Sequence, residues 1–496
     1  MSAPVLVIGA GPAGLAVAGE LALAGVGAVV IDRLAAPDPH APGQAINVST
    51  VELLDERGLV DGLRATTMAL PGAHFSLLWL RPDGLAESHP HGLMAPQALV
   101  EAALAERLAG SAVEVRRGHL LTGLRQDATG VTARLRGPDG EYDLRGSYLV
   151  GADGEDSTVR RLAGIGFPGN GWSFSGIVGD IGTDFATLPQ VHLGARFSEA
   201  GGMYSGSPAG PGVLRIITAA TDSAQRTGSG PATLDELQSE VARLTGHLLP
   251  ARALLWAERF TSTTGNAERY RDGRVFLVGD AAHTFFPLGG LRLNTAVHDA
   301  LNLGWKLAAE LRGWAPPGLL DSYHAERHPV GARAGRVLDA QLALAHPPER
   351  VAPLRDLFAE LVGYDDVNRH LLELVTGVDV RYPLDGAGAG HPLLGRRLPH
   401  LPLVTADGTD TGVAAIQRRA RGVLLHLASD GAVHQDAVRG WSDRVDTVAV
   451  RPSEELLAAT GGAAVLLRPD GHIAWAGAGG GPSLADALKS WFGAPH

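Results

Sequence analysis

Hydrophobic positions near the start of the chain change from a strand-like to a helix-like period and back. Val5–Ile8 is a short apolar run typical of a buried strand, and it leads into a glycine-rich turn over 9–14. A helix-compatible stretch, Leu15–Ala24, follows, and a second apolar run over 27–31 ends at Asp32. A strand, a helix and a strand within about 30 residues predict a βαβ unit, and hence an α/β fold class.

Later segments of the chain change period again. Short segments separated by turns over 113–150 predict an antiparallel meander. The region 172–270 combines Gly, Thr and Ser with short apolar runs, which predicts a sheet-rich insertion. Val275–Val278 is a further buried strand, and apolar spacing predicts a helix over Asn294–Leu311 that stops at Gly313.

The pattern of the last hundred residues predicts a separate α/β unit. Pro and Gly cluster over 383–402, which makes this stretch the best candidate linker. The elements predicted beyond it are strands over 422–427 and 445–450, a hairpin over 464–475 that turns at Pro-Asp-Gly, and a helix over 483–491.

Composition narrows the possible functions. At about 150 residues per domain, the 496 residues indicate three domains. The net charge of −11 argues against nucleic acid or an anionic membrane as a partner, and no segment reads as membrane-spanning, so a cytoplasmic location is expected. The absence of cysteine excludes disulfide scaffolds, thiolate metal sites and dithiol redox motifs, and no metal-spaced residue set is present. Nearly all basic residues are arginine, so arginine richness alone carries no argument.

The turn after the first strand has glycines in the spacing that binds a dinucleotide. Gly9 allows a tight turn, Gly11 lets the backbone approach a diphosphate, and Gly14 permits close helix–strand packing. Asp32, at the end of the second strand, is placed to accept hydrogen bonds from a ribose. The alternative is a glycine-rich turn without a ligand. We favour a dinucleotide because the turn both follows a strand and opens a helix.

Two further acidic residues end predicted strands. Asp153 follows the run 148–152, and Asp280 follows Val275–Gly279. Ligands collect at the carboxyl ends of strands in open α/β sheets, so both carboxylates are candidate ligand contacts. A turn or helix-capping role is the alternative for each of them.

These motifs, in this order, resemble the flavin-dependent aromatic hydroxylases of the p-hydroxybenzoate hydroxylase fold, and most closely their aromatic-polyketide and rifampicin-type monooxygenases. The resemblance implies a Rossmann-like FAD-binding domain, a sheet-rich substrate domain and a thioredoxin-like C-terminal domain without cysteines. The implied bounds are 1–75, 96–171 and 268–385 for the FAD-binding domain, 76–95 and 172–267 for the substrate domain, and 386–496 for the C-terminal domain. A packing or oligomerisation role is expected for the last of these, because it lacks dithiol chemistry.

The resemblance also implies roles for individual residues. FAD would be the cofactor, with NADPH or NADH as co-substrate. Asp280 would contact the ribityl chain, and Asp153 would support both FAD and NAD(P)H handling. The full set implied to contact FAD is Gly9, Gly11, Gly14, Asp32, Arg33, Gln97, Asp153, Asp280, Pro287, Gly289, Gly290, Leu293 and Asn294.

The chain departs from the family pattern around the expected flavin ring. The family usually reads P-x-G-G-x-G-x-N-x-G after the second acidic strand end, whereas this chain has Arg292 at the third glycine and Ala296 at the later one. Pro42 and Ser49 stand where the family has arginines on a neighbouring loop. Arg292 has three possible placements: pointing away, adding charge beside the ring, or occupying the place of the ring.

These features favour an FAD-dependent, NAD(P)H-consuming monooxygenase that hydroxylates a polycyclic aromatic polyketide intermediate through a flavin C4a-hydroperoxide, as the resemblance implies. The alternative is a redox-silent relative that catalyses a rearrangement, cyclisation, dehydration or hydrolysis, and it rests on Arg292, Pro42 and Ser49. Arg292 and His298 are the candidates for catalysis. The expected partner is a small aromatic molecule, with a homodimer left open.

Overall fold

The computed structural model describes residues 3–41, 43–70, 72–85, 91–220, 230–345, 348–384, 391–430, 436–477 and 482–496. The chain opens with strand β1 (Val5–Ile8), helix α1 (Pro12–Leu23) and strand β2 (Ala28–Asp32), in which β1 and β2 pair in parallel. The predicted βαβ unit is therefore confirmed. Because β1 is buried along its whole length, it lies at the centre of the first core.

Short elements and an antiparallel meander follow β2. They are α2 (Val48–Asp55), α3 (Val60–Thr66), β3 (Met68–Ala69), β4 (His74–Phe75), β5 (Leu78–Trp79), β6 (Leu93–Met94), α4 (Gln97–Glu106), β7 (Val113–Arg117), β8 (Leu120–Asp127), β9 (Gly130–Gly137), β10 (Gly140–Gly146), β11 (Leu149–Gly151) and α5 (Thr158–Leu162). The predicted meander is right for β8, β9 and β10, but wrong at both of its ends. Strand β7 pairs in parallel with β2, and β11 pairs in parallel with β1, because both feed the buried sheet.

The predicted sheet-rich insertion forms a large antiparallel sheet, with strand order β13-β14-β15-β12-β17-β16, and β20 (His283–Thr284) also pairs with β17. Its elements are β12 (Gly169–Gly182), β13 (Gly194–Phe197), β14 (Met203–Gly210), β15 (Val213–Ala219), β16 (Gly230–Pro231), α6 (Leu234–Thr245) and β17 (Ala253–Asn266). Helix α6, which the sequence did not predict, covers one face with Leu237, Val241 and Leu244. Strands β5 and β6 lie in the segment 76–95, which the resemblance assigns to the substrate domain. Their partners, β4 and β3, lie before residue 76, and the implied domain bounds stay a prediction.

The chain then returns to the first sheet and continues into long helices. These elements are β18 (Arg271–Asp272), β19 (Val275–Leu277), β20 (His283–Thr284), α7 (Leu291–Leu311), α8 (Asp321–Ala343), α9 (Pro348–Val362) and α10 (Asp365–Thr376). The first sheet has the order β18-β19-β11-β1-β2-β7. Helix α7 begins at Leu291 rather than Asn294, so Arg292 lies in its first turn. Helix α7 packs closely on α1, since a Cβ on Gly304 would lie 2.5 Å from Cβ of Glu20.

The C-terminal unit has a mixed sheet of order β24-β23-β25-β26 beside a small hairpin. Its elements are β21 (Pro402–Val404), β22 (Asp410–Gly412), α11 (Val413–Ile416), β23 (Gly422–Leu427), β24 (Val445–Val450), α12 (Glu454–Thr460), β25 (Ala464–Leu467), β26 (Ile473–Gly477) and α13 (Pro482–Phe492). The predicted strands, hairpin and final helix are confirmed. Within the described ranges, no helix has the length and apolar character needed to cross a bilayer.

Candidate functional site

The glycine turn between β1 and α1 has two packing glycines and one that faces open space. Gly9 has φ +108°, and a Cβ there would lie 2.1 Å from the carbonyl oxygen of Ala152. A Cβ on Gly14 would lie 1.9 Å from the carbonyl oxygen of Gly9, so both positions exclude a side chain. A Cβ on Gly11 would meet nothing within 4 Å. Gly11 is also the N-cap of α1 and makes no side-chain capping bond, so the backbone N–H groups of the first turn are available to an anion.

Asp32 links this turn to the end of β2. One carboxylate oxygen accepts from the backbone N–H of Ala10 (2.6 Å), and the other accepts from that of Leu34 (2.7 Å). A carboxylate oxygen can accept more than one hydrogen bond, so Asp32 orders the turn and can still accept from a ribose hydroxyl. Arg33 is exposed. The residues of this turn thus fit the ADP half of FAD.

Gln97 lies at the start of α4 and contacts the preceding loop. Its Oε1 accepts from the backbone N–H of Gly43 (3.3 Å), and its Nε2 donates to Glu101 (2.8 Å). On the other side, Arg215 of β15 donates to the carbonyl oxygen of Ala41 (2.7 Å). The loop between these anchors contains Pro42, which lies outside the described residues.

Asp153 has the geometry of a capping residue. Its carboxylate accepts from the Ser157 hydroxyl (2.6 Å) and from the backbone N–H of Val159 (3.0 Å). These two bonds order the entry into α5, which is the turn role weighed as the alternative. A contact between Asp153 and FAD or NAD(P)H stays a prediction.

Asp280 lies in a short 3-10 turn after β19 and is engaged by Arg292. The Arg292 guanidinium forms an ion pair with Asp280 and a second one with Glu155 (2.9 Å). Glu155 also accepts from the hydroxyl of Ser262 on β17 (2.7 Å), which joins the two sheets. Burial disfavours the charge on Arg292, but Asp280 and Glu155 outweigh it and hold the pKa of Arg292 above its ordinary value. The arginine therefore points towards the predicted ribityl contact and not away from it.

The start of α7 contacts the segment that carries Pro42 and Ser49, so the two segments that depart from the family pattern lie side by side. Asn294 Oδ1 accepts from the backbone N–H of Asn47 (2.9 Å), and its Nδ2 donates to the carbonyl oxygen of Gly290 (2.7 Å). Gly290 is the N-cap of α7, with φ +70° and no side-chain capping bond. The N-terminus of this 21-residue helix therefore favours negative charge in front of it. The other predicted contacts here are the half-buried Pro287 and the exposed Gly289 on the loop, and the buried Leu293 in the first turn of α7.

Ser49 and His298 are hydrogen-bonded to each other beside this loop. His298 Nε2 lies 3.3 Å from Ser49 Oγ, which donates to Asn47 Oδ1 (3.2 Å). Both residues line a cavity of about 60 Å³. Burial, with the charges of Arg327 and Arg397, lowers the pKa of His298 well below its usual value, so the imidazole is neutral at pH 7. Ser49, which stands where the family has an arginine, and its partner His298 are therefore both uncharged.

We expect the stability of the protein to fall as the pH drops from 7.5 to 5.5. Burial lowers the pKa of His298 and lowers that of His74 to about 4, whereas both titrate near 6.5 when unfolded. The unfolded state therefore binds more protons below pH 6.5, at a cost of up to about 1.4 kcal/mol per pH unit for each group. Urea titrations at the two pH values measure this slope. His298→Gln should make it shallower, and His247→Gln, at an exposed histidine, should not; an unchanged slope for His298→Gln would contradict the neutral buried imidazole.

The sequence did not identify two residues of this site, Glu155 and Arg215. Glu155 had a detectable signal, because it follows Asp153 in the same acidic turn at a strand end. Arg215 had none, since it lies in a strand far from the loop it anchors. Its two ion-pairing contacts to Asp180, both 2.7 Å, are buried and hold the guanidinium in place.

Comparison with known proteins finds a matching family for each of the two parts of the chain. Residues 2–337 match a family model described as an FAD binding domain, and residues 391–495 match one described as the C-terminal part of aromatic-ring hydroxylases. A rifampicin monooxygenase of Streptomyces venezuelae is 41% identical over 99% of this chain and 98% of its own. An anhydrotetracycline hydroxylase from Streptomyces rimosus superimposes with a TM-score of 0.90 at 41% identity, covering 100% of both chains. A Diels–Alderase of pyrroindomycin biosynthesis does so with a TM-score of 0.86, at 41% identity and the same coverage.

Proposed function

Because the chain belongs to the FAD-binding aromatic-ring hydroxylases, an enzyme family of FAD-dependent aromatic monooxygenases, we propose that it hydroxylates a polycyclic aromatic intermediate of polyketide type at the expense of NAD(P)H. The observation that carries the proposal is the open space in front of Gly11 at the uncapped N-terminus of α1. A diphosphate fits there, and Asp32 stands beside it to accept from a ribose.

The other residues predicted to contact FAD have separate proposed roles. When bound, FAD supplies hydride acceptance from NAD(P)H and activation of O₂. Gln97 and Leu293 flank the loop at Gly43, and Asp280 offers its carboxylate to the ribityl hydroxyls. The uncapped N-terminus of α7 stabilises negative charge in front of it.

The substrate is expected against a cluster of apolar side chains between the antiparallel sheet and α7. Phe174 and Phe286 pack edge to face with ring centroids 4.8 Å apart, and Phe260 and Phe174 pack in the same manner at 6.1 Å. Met203 and Leu291 belong to the same cluster. These side chains are buried or half-buried against one another, and the proposal places the flat aromatic substrate at the edge of this cluster, where apolar contacts would exclude water from it.

A second candidate function is a non-oxidative reaction of a similar intermediate, such as a cyclisation. The observation that favours it is the Arg292–Asp280 ion pair, which engages the carboxylate proposed for the ribityl chain. The similarity to a Diels–Alderase supports the same alternative. The two functions differ in whether NAD(P)H is consumed.

The purified full-length protein separates the two candidates. The monooxygenase proposal predicts a yellow protein whose oxidation of NADPH in air is accelerated at least tenfold by an aromatic polyketide. A colourless protein that takes up no FAD on incubation would overturn it. A yellow protein that converts the polyketide without NADPH would favour the second candidate.

Arg292→Gly is expected to tighten FAD binding about tenfold. In the present chain, FAD must displace a charge-assisted bond worth roughly 1.5–3 kcal/mol before Asp280 is available, and a tenfold change corresponds to about 1.4 kcal/mol. Fluorescence titration of the apoprotein with FAD measures the dissociation constant. Arg269→Gly, at an exposed arginine 3.5 Å from Asp272, is the control. Unchanged or weaker binding in Arg292→Gly would show that the arginine does not obstruct the site.

A further inference from the structure

A second cavity lies between the FAD-binding part and the C-terminal unit, far from the glycine turn. It has a volume of about 430 Å³ and is bounded by the C-terminal end of α1, the second half of α7, and three loops of the C-terminal unit. Helix α1 has 12 residues, so this cavity is roughly 18 Å from the turn at Gly11. Cavities of several hundred Å³ at domain interfaces are typical places for small ligands.

The wall of this cavity is strongly positive, although the whole chain carries a net charge of −11. Five guanidinium groups and two carboxylates line it. Of the two carboxylates, Glu20 is neutralised by Arg57, which donates to both of its oxygens at 2.6 and 2.9 Å. The other, Asp443, pairs with the lining Arg444 at 3.1 Å. The lining arginines are Arg312, Arg418, Arg419, Arg421 and Arg444.

Three other guanidinium groups of this wall share only two carboxylates. Arg418 lies 4.0 Å from Asp55, at the limit of ion pairing, and its side chain is 51% exposed. Arg419 lies 3.7 Å from Asp446 and is 70% exposed, and Arg421 shares the same carboxylate at 3.2 Å. Positive charge thus exceeds negative charge around one concave space, which is the arrangement that attracts an anion.

The loop that carries three of these arginines is held in an unfavourable backbone conformation. Ala420, between Arg419 and Arg421, has φ +50°, which a residue with a Cβ rarely adopts and which costs of order 1 kcal/mol or more. Arg418, Arg419 and Arg421, on either side of this residue, line the same cavity. The opposite side of the cavity is apolar and includes Trp305 and Ala308.

From these features we infer that the cavity between the two domains binds the diphosphate group of a small phosphorylated molecule. Guanidinium groups match phosphate oxygens in geometry and charge, and several of them around one space favour more than one phosphate. A diphosphate fills only part of the volume, so the apolar side leaves room for an organic group such as a nucleoside. This site is separate from the proposed FAD site and does not depend on the proposed function.

The test is calorimetric titration of the full-length protein with inorganic pyrophosphate and, separately, with ADP, without FAD and again with excess FAD. Excess FAD competes with either probe at the turn at Gly11, so binding in the second cavity should persist when FAD is present. We expect saturable binding of both probes that weakens at least tenfold in the double variant Arg418→Ser/Arg419→Ser. Arg439→Ser, at an arginine of the same unit with an 81% exposed side chain and outside the cavity, should bind like the parent protein.

The two probes also separate the possible sources of the diphosphate. Equal affinity for pyrophosphate and ADP means that the diphosphate alone is recognised, and tighter binding of ADP means that the apolar side contributes. The inference is overturned if neither probe gives saturable heat, or if the double variant binds both probes as the parent does. Binding that disappears only when the residues of the glycine turn are changed would also overturn it.

Discussion

Replacing Arg468 by Met is expected to lower the free energy of unfolding by about 3–5 kcal/mol, the range for removing one partner from a buried ion pair. Arg468 lies at the tip of the β25–β26 hairpin and donates to both oxygens of Glu326 on α8, at 2.7 and 2.8 Å. It also bonds Asp470, and all three side chains are at most 3% exposed. Burial would raise the pKa of Glu326, but Arg468 and Lys306 lower it to about 2, so it stays charged.

Without Arg468, the carboxylates of Glu326 and Asp470 share Lys306 as the neighbouring positive charge of this cluster. Urea unfolding followed by circular dichroism measures the loss. The double variant Arg468→Met/Glu326→Met removes one charge of each sign and should recover much of it. Arg439→Met, at the exposed pair with Asp436, should leave the midpoint unchanged. A loss below about 1 kcal/mol for Arg468→Met would mean that the hairpin does not hold the two units together.

Replacing Gly11 by Val is expected to weaken FAD binding at least a hundredfold while the apoprotein stays folded. Gly11 has φ −78° and ψ −175°, a conformation that valine readily adopts, and its Cβ would meet no protein atom within 4 Å. The added side chain would fill the space proposed for the diphosphate. A hundredfold loss corresponds to about 2.7 kcal/mol of binding free energy.

The matched control for this variant is Gly19→Ala on the same helix. A Cβ on Gly19 also meets nothing within 4 Å, and it lies two turns away from the first turn of α1. FAD titration and thermal unfolding of both apoproteins should separate them by affinity and not by melting temperature. If Gly11→Val binds FAD within threefold of the parent protein, the proposed diphosphate position is wrong.

The sequence predicted the parts of the fold that depend on neighbouring residues. The turn from Gly9 to Gly14 was readable because strand, turn and helix follow one another within a short stretch. The ends of the 113–150 meander were not, because a short strand such as β11 has the same local pattern whether its partner is parallel or antiparallel. The three helices between Asp321 and Thr376 were also not predicted from the sequence.

The charged contacts could not be predicted, because they join residues that are far apart in the chain. Arg292 and Glu155 are separated by 137 positions, and Arg468 and Glu326 by 142. Asp470, in a Pro-Asp-Gly turn, has the sequence of an exposed hairpin tip, yet it is 2% exposed because the tip docks on α7 and α8. In a chain whose cations are nearly all arginine, composition did not distinguish these residues from surface ones.

The most direct measurement of the central claim is the fate of oxygen-18 gas during conversion of a polycyclic aromatic polyketide by the FAD-loaded protein. The monooxygenase proposal predicts a product that is heavier by one ¹⁸O atom, formed only with NADPH, with one NADPH consumed for each product molecule. The contradicting result is a product of unchanged mass, or one without ¹⁸O, formed equally well without NADPH.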